Sequence, residues 1–310
     1  MLQRVFAIAM NAYREAVRAR VLYGLLAFAL AACGYAVVVA SLSLDQQARV
    51  VSDVGSASIS LCAVLVAIVL GATSLYRELE LKTIFPILAR PLHRHEYLVG
   101  KYLGTLLTLL VFVALDGALV LAILGLETGA APAKVLGAAG VLFAVLGVLL
   151  VRFKHSRVQI VVPWALVLFA VMAILAEPGG QNRQLVLASC LLTLCETAII
   201  TAVATLFSSF SSPFLTAVFT LSVFLIGRSA DTLAHLPAKQ VGAATKQAAT
   251  VLARVVPNLQ AYVPSRPILL GEVPNLPTWP LVAKAAGQSL AYSIVMLAFA
   301  TLIFRRRDFS

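Results

Sequence analysis

Three ionisable side chains stand within apolar segments that are long enough to cross a lipid bilayer. They are Asp116, Glu196 and Arg228. A charge inside a bilayer is costly and usually faces other helices or a polar cavity. At a rise of about 1.5 Å per residue, Asp116 and Arg228 lie at matching depth and are expected to be able to pair. Glu196 lies nearer the middle of the membrane and has no evident partner.

These intramembrane polar residues have two interpretations. They could form an ion pair or hydrogen bond that fixes helix packing, or they could line a path for a translocated substrate. We favour packing, because polar groups within membranes commonly hold helices together.

The sequence offers no site for nucleotide or metal chemistry. It contains no GxxxxGK[ST] motif, and Gly100-Lys101-Tyr102 lacks the upstream glycine and the hydroxyl that would hold phosphate and Mg²⁺. His93 and His95 form an HxH pair, but a metal site needs further ligands and none is evident nearby. No Ser/His/Asp or Cys/His arrangement is visible. We therefore predict no catalytic residue, no metal site and no cofactor in this chain.

The cysteines are expected to be small apolar side chains rather than disulfide or metal partners, because all four fall inside apolar runs. They are Cys33, Cys62, Cys190 and Cys195. The sequence from Leu30 to Cys33 is similar to a lipoprotein cleavage site. The apolar run continues past Cys33, so we predict no lipid attachment there.

Composition places the chain in a membrane. Of its 310 residues, 61% are hydrophobic and 12% are charged, whereas soluble domains are about half apolar and about a quarter charged. Backbone groups in lipid must be paired within the chain, so the apolar runs are expected to be helices. We predict an all-α, polytopic transmembrane bundle of eight spans, at about 21–44, 55–76, 98–126, 135–151, 158–176, 185–207, 214–230 and 286–304.

The basic residues predict the orientation of these spans. With both termini cytoplasmic, 15 of the 24 Lys and Arg residues fall on the inner side. The three short outer loops then hold only Arg49, Lys134 and Arg183. This asymmetry follows the positive-inside rule and predicts that both termini lie on the cytoplasmic side. The net charge of +11 is accordingly ascribed to lipid contacts and topology, not to nucleic-acid binding.

Two segments flank or interrupt the membrane domain, 21–310. Residues 1–20 predict an interfacial amphipathic helix. Its apolar face would hold Leu2, Val5, Phe6, Ala9, Tyr13, Ala16 and Val17, and its polar face Arg4, Asn11, Glu15 and Arg18. Residues 231–285 predict a proline-rich extracytoplasmic loop that could contact a periplasmic partner.

The inner segment 74–104 is densely charged and reads SLYRELELKTIFPILARPLHRHEYLVGKYLG. Pro86 and Pro91 break it, so helix–turn–helix is the expected form. A charged cytoplasmic elbow between two long spans is suited to receive force from a soluble partner.

This segment resembles the signature region of ABC-2-type permeases, the membrane subunits of one class of ABC transporter. The matching positions are Arg77, Glu78, Glu80, Thr83, Arg90, Pro91, Arg94, Gly100 and Lys101. The sequence departs at Lys82, where many relatives have Gly. Further similarity lies in EAVRARVLY (15–23), in Glu196 with the later TLFSSFSSP, in VPNLQAY (256–262) and in FRRRDF (304–309). The subgroup resembled is that of multi-copper enzyme maturation, gliding motility and related exports.

The resemblance implies a six-span core with residues 133–180 as an added helical hairpin. It also implies a homodimer, or a heterodimer with a second permease, and a separate ABC subunit that binds ATP and Mg²⁺. That subunit would dock on the elbow, 77–97, and would drive export or extraction of a substrate that the sequence does not identify. The coupling residues would be Arg77, Glu78, Glu80, Lys82, Thr83, Arg90, Pro91 and Arg94.

Two other functions stay open from the sequence. One is a non-transporting anchor that passes force from a cytoplasmic ATPase to a periplasmic partner through the outer loop. The other is an ion-coupled secondary transporter with Asp116 or Glu196 as carriers, although the broken helices and paired halves of such proteins are not seen.

Overall fold

The fold is all-helical wherever the computed structural model describes the chain, which is at residues 2–42, 46–80, 94–154, 156–230, 256–263 and 278–306. Nine α-helices lie in these ranges: α1 Leu2–Arg18, α2 Arg20–Ser41, α3 Gln47–Glu80, α4 Arg94–Glu127, α5 Pro132–Arg152, α6 Arg157–Leu175, α7 Gly180–Ser208, α8 Pro213–Arg228 and α9 Thr278–Arg306. Short 3₁₀ turns occur at Glu177–Gly179 and Gln260–Tyr262. The prediction of an all-α bundle is confirmed.

Seven of these helices are long and apolar enough to cross a membrane. They are α2 to α7 and α9, which correspond to the first six and the last of the predicted spans. The remaining predicted span, 214–230, corresponds to α8, an apolar helix of 16 residues. At about 1.5 Å per residue, α8 is shorter than the ~30 Å hydrocarbon core. The chain is a multi-pass membrane protein.

Two predicted boundaries were wrong. The third helix begins at Gln47 rather than near residue 55. The last helix begins at Thr278, inside the segment predicted as the outer loop 231–285. Pro280 lies in its first turn, where a missing N–H removes no intrahelical hydrogen bond. Of the predicted loop, 231–255 and 264–277 lie outside the described residues.

Consecutive spanning helices run in opposite directions. Gly55, near the start of α3, faces Val120 near the end of α4, so α3 and α4 are antiparallel. Gly71, late in α3, faces Ala204, late in α7, so these two helices, which are not consecutive, are parallel. This alternation puts α1 and the C-terminal end of α9 at one end of the bundle, here called the terminal end. The opposite end is called the far end. Helices α3, α4 and α7 form the buried centre, while α2, α5 and α9 are mostly exposed, as expected of lipid-facing helices.

The hairpin of α5 and α6 attaches through α6. The Phe169 ring on α6 packs over Gly117 of α4. The Trp164 indole N–H donates a 2.8 Å hydrogen bond to the Leu142 carbonyl of α5. The Phe143 and Trp164 rings form an edge contact with centroids 5.1 Å apart. These contacts leave α5 as the outer helix. Its status as an addition to a six-span core stays a prediction.

The first helix packs against the start of α4 at two glycines one turn apart. A Cβ added to Gly104 would lie 2.5 Å from the Ala9 carbonyl oxygen. One added to Gly100 would lie 2.7 Å from the Cβ of Ile8. Small residues four apart allow helix backbones to approach closely. The spacing Gly100-xxx-Gly104 therefore fixes where α1 docks.

The buried face of α1 contains Ala9, Tyr13 and Ala16, as predicted, but it departs from the prediction at two positions. Phe6, predicted on the apolar face, is 65% exposed. Glu15, predicted to point away, contacts Lys101 on α4. Tyr13 is fully buried, and burial raises the pKa of its phenol to about 12, so the group stays neutral. The register is set by the two glycines of α4, which hydrophobic periodicity alone does not report.

Substitution of Gly104 by Ala should undock α1, because the new methyl group meets backbone rather than a flexible side chain. We expect a loss of about 1–3 kcal/mol of unfolding free energy, the usual cost of overpacking. Thermal unfolding in detergent measures it. The control is Gly140→Ala on α5, where nothing lies within 4 Å of the added Cβ. Equal stability of the two variants would show that the α1 contact does not constrain the fold.

Candidate functional site

Glu196 and Arg228 form an ion pair inside the bundle. Arg228 Nη1 donates to Glu196 Oε1 at 2.5 Å. The side chain of Glu196 is 1% exposed and that of Arg228 is 30% exposed. Because Glu196 is the more deeply buried partner, it depends more on the pair than Arg228 does.

The directions of the two helices explain how these residues meet. Side chains on a helix lean toward its N-terminus. Helix α7 begins at the far end, so Glu196 leans toward that end. Helix α8 ends there, so Arg228, its last residue, leans back into the bundle. The two side chains therefore approach each other although their positions along the membrane normal differ.

Ser60 of α3 is the third member of this network. Its Oγ donates to Glu196 Oε2 at 3.3 Å and lies 3.5 Å from Arg228 Nη2. The carboxylate is thus bound by groups from two other helices, α3 and α8. The network holds α3, α7 and α8 in one relative position.

The predicted pairing of Asp116 with Arg228 was wrong, since Arg228 pairs with Glu196. Asp116 is fully buried on α4 and accepts a 3.3 Å contact from Cys33 Sγ on α2. Its Oδ2 has no hydrogen-bond partner within the described ranges. Depth estimates gave the height of these residues but not the face of the helix on which they stand.

A second polar contact lies at the terminal end, around Lys101. Its Nζ donates to Glu15 Oε2 on α1 and to the Ser74 carbonyl on α3, both at 3.2 Å. The Lys101 side chain is 5% exposed. One ammonium group therefore joins α1, α3 and α4 at the base of the predicted elbow.

The predicted coupling residues fall around this contact. Arg77, Glu78 and Glu80 are in the last turns of α3, and Arg94 is the first residue of α4. The others, Lys82, Thr83, Arg90 and Pro91, lie in 81–93, outside the described residues. Gly100 and Lys101, matched as signature positions, bear directly on α1 through the packing and the ion pair described above.

Within the described ranges, no group of three or more His, Cys, Asp or Glu side chains is placed to hold a metal ion. The cysteines Cys33, Cys62, Cys190 and Cys195 are unbridged, and the first three are buried. The polar chemistry of these ranges is that of ion pairs and hydrogen bonds between helices.

Comparison with known protein families places the chain in a family. The chain matches the family described as ABC-2 family transporter protein over residues 6–309. The chain belongs to the ABC-2 transporter family. No match was found among curated proteins. The match covers nearly the whole chain, so the resemblance read from the sequence is confirmed at family level, while the subgroup stays a prediction.

As an ABC-2 permease, the chain is a membrane transport subunit, and permeases of this family pair with an ATP-binding subunit.

Sequence reasoning missed several residues of these sites. Ser60 has no signal, because serines are common in the same helix. The bond between Lys101 and Glu15 was missed because Glu15 was assigned to the solvent face. The spacing Gly100-xxx-Gly104 is a signal that could have located the α1 contact.

The ion pair predicts strongly non-additive effects. Arg228→Gln should destabilise the permease by about 3–5 kcal/mol, the cost of leaving a buried charge without its partner. Glu196→Gln should cost less, because Arg228 is partly exposed. The loss of unfolding free energy in the double variant should be smaller than the sum of the losses in the two single variants. Unfolding free energies measured in micelles test this.

The matched control is Asp116→Asn combined with Arg228→Gln. These residues are not in contact, so their effects should add within about 0.5 kcal/mol. Coupling in this control, with none between Glu196 and Arg228, would contradict the assigned pair.

Proposed function

We propose that this permease couples ATP hydrolysis by a separate subunit to export, or extraction from the bilayer, of a substrate. The ATP-binding subunit would dock on the elbow, 77–97, in a bacterial inner membrane, with permeases assembled as homodimers or heterodimers. The contact of Lys101 with α1 and α3 carries this proposal. A displacement of the elbow would be passed to three helices at once.

The length of α3 supports this role. Its apolar span ends at Ser74, but the helix continues to Glu80. Six more residues extend it by about 9 Å. The spanning part of α4 starts at His95, one residue after the helix begins. The elbow thus joins an extended helix to one that begins at the membrane, which suits a lever that projects toward a soluble subunit.

The polar network is better suited to structure than to ion coupling. A carrier carboxylate must gain and lose its ion during transport, whereas Glu196 is held by Arg228 and Ser60. Family membership likewise favours an ATP-driven permease over an ion-coupled transporter. The role of a force-transmitting anchor uses the same elbow, and a transport assay in vesicles distinguishes it.

Reversal of Glu78 and Glu80 to Lys should abolish coupling, because charged groups at an interface set partner choice and orientation. The permease is purified with its genomic neighbours, and the ATPase activity of the co-purifying subunit is measured. We expect at least a tenfold loss of bound subunit, a loss of about 1.4 kcal/mol or more in binding free energy.

Glu127→Lys is the control, since Glu127 ends α4 at the far end of the bundle. It should leave binding unchanged. The absence of any co-purifying P-loop protein would overturn the proposed function. Full coupling in the Glu78/Glu80 variant would overturn the elbow assignment alone.

A further inference from the structure

An apolar groove lies on the side of the bundle, between α2 and the hairpin of α5 and α6. Its volume is about 510 Å³, and residues of α2, α4, α5 and α6 line it. Leu30 on α2 is 40% exposed and Phe143 on α5 is 56% exposed, whereas Ala118 on α4 is buried. The groove therefore has α4 as its floor and opens sideways toward lipid.

The groove needs an apolar occupant. Every side chain that lines it is apolar, and the Trp164 indole N–H is already bonded to the Leu142 carbonyl. Water inside a protein needs polar partners, and apolar cavities stay dry. An empty groove would leave its lining atoms without dispersion contacts on one side.

Helix α5 has few other contacts to hold it. Val135 is its one buried residue. Ala139, Phe143 and Leu146 line the groove, and their spacing puts them on one face of the helix. This face meets the groove rather than another helix, so an occupant would complete the packing of α5 against the bundle.

The groove leads toward the connection between α5 and α6, at the terminal end of the bundle. Leu26 lies six residues after the start of α2, and Leu146 lies six residues before the end of α5. Both distances are about 9 Å along the helix axis. Trp164 lies seven residues after the start of α6, or about 10 Å. Three helices thus place this end of the groove at the same depth below their ends.

The α5–α6 connection is basic. Arg152, Lys154 and Arg157 are all exposed. None of them has an ion pair in the ranges that the structure describes. The sequence has no Asp or Glu between Glu127 and Glu177, so the hairpin itself offers no carboxylate to neutralise them. An anion from outside the hairpin is the natural partner.

Arg157 stands in line with the groove. It precedes Trp164 by seven residues and Leu168 by eleven, so all three share one face of α6. Its Nε donates a 2.9 Å hydrogen bond to the Leu150 carbonyl of α5. No described residue accepts from its two terminal nitrogens. A guanidinium held in this way is suited to bind a phosphate.

We propose that the groove binds one acyl chain of an anionic phospholipid, whose phosphate contacts Arg157 and Lys154. A methylene group takes up about as much volume as a water molecule, and at about 30 Å³ each the groove holds roughly 17. One acyl chain therefore fills it, and the second chain lies in the surrounding bilayer. Other lipids are equally apolar, so the selectivity comes from the basic connection, which attracts anionic headgroups.

The test uses the full chain purified in a neutral detergent. Phosphatidylglycerol, its single-chain lyso form, phosphatidylcholine and glycerol phosphate are titrated in, and bound molecules are counted by native mass spectrometry. We expect phosphatidylglycerol and its lyso form to bind, phosphatidylcholine to bind about tenfold or more weakly, and glycerol phosphate not to bind. Equal affinity for phosphatidylglycerol and phosphatidylcholine would overturn the proposal. Binding needs no ATP and no ATP-binding subunit, so the result is independent of the elbow experiment.

The headgroup contact is tested by Lys154→Gln/Arg157→Gln, which should weaken phosphatidylglycerol binding about tenfold and leave phosphatidylcholine binding unchanged. Lys134→Gln is the control, because it removes an exposed basic residue from the opposite end of the same hairpin. It should leave both affinities unchanged. If loss of the Arg157–Leu150 bond lowers the unfolding temperature, Arg152→Gln/Lys154→Gln keeps that bond and should weaken binding in the same direction. Equal losses in the control and in these variants would contradict a site at the connection.

The chain contact is tested by Ala139→Phe, which places a ring in the groove and should abolish binding of phosphatidylglycerol and its lyso form. Val141→Phe is the matched control, since Val141 is 63% exposed and does not line the groove. Lipid binding that survives Ala139→Phe would overturn the proposal. So would a dimer that Ala139→Phe dissociates without any change in lipid binding, because the groove would then hold a second copy of the chain.

Discussion

Lipid offers no water to solvate a charge, and this constraint organises the polar contacts of the permease. An ionised group within the bundle must be met by another part of the chain. Glu196 is met by Arg228 of α8, which runs in the opposite direction to α7, and by Ser60 of α3, which runs parallel to it. Near the membrane surface, Lys101 is met by Glu15 and a carbonyl. Each of these two networks joins three helices. Because a buried charge without its partner is destabilising, each network constrains the relative positions of its helices.

Close packing stabilises the association of the helices. The hydrophobic effect contributes little to it, because lipid tails are as apolar as the helix surfaces they cover. Gly227 illustrates this at the far end. An added Cβ there would lie 2.7 Å from the Pro257 carbonyl oxygen, and the Leu259 N–H donates a 3.0 Å hydrogen bond to the Gly227 carbonyl. The Tyr262 hydroxyl donates to the Ala285 carbonyl of α9 at 3.3 Å. The VPNLQAY segment thus links α8 to α9 at the far end of the bundle.

Composition and chain direction were enough to predict the helices and the depth of the charged residues. The predictions failed where the rotation of a helix about its own axis decides which residues meet. Long apolar runs required helices, and their lengths located most spans. Charge depth suggested an Asp116–Arg228 pair, because depth can be counted along the chain. Which face of α4 Asp116 occupies depends on packing against α2, through contacts such as that with Cys33. The rotation of α1 was likewise set by glycines more than 90 residues away from the positions that they contact. Ser60 gave no signal, since only the fold shows that its hydroxyl reaches Glu196.

Helix α3 connects the two polar regions of the permease. Its Ser74 carbonyl accepts a hydrogen bond from Lys101 beside the elbow, and its Ser60 hydroxyl donates one to Glu196 on α7. These positions are 14 residues apart, or about 21 Å on a continuous helix. Because such a helix moves as one rigid element, a displacement at the elbow that shifts α3 would also shift Ser60 relative to Glu196 on α7. The coupling proposed above would then require two arrangements of α3 against α7. The Glu196–Arg228–Ser60 network is the contact that such a change must rearrange, because it alone joins α3, α7 and α8 through charge within the described part of the bundle.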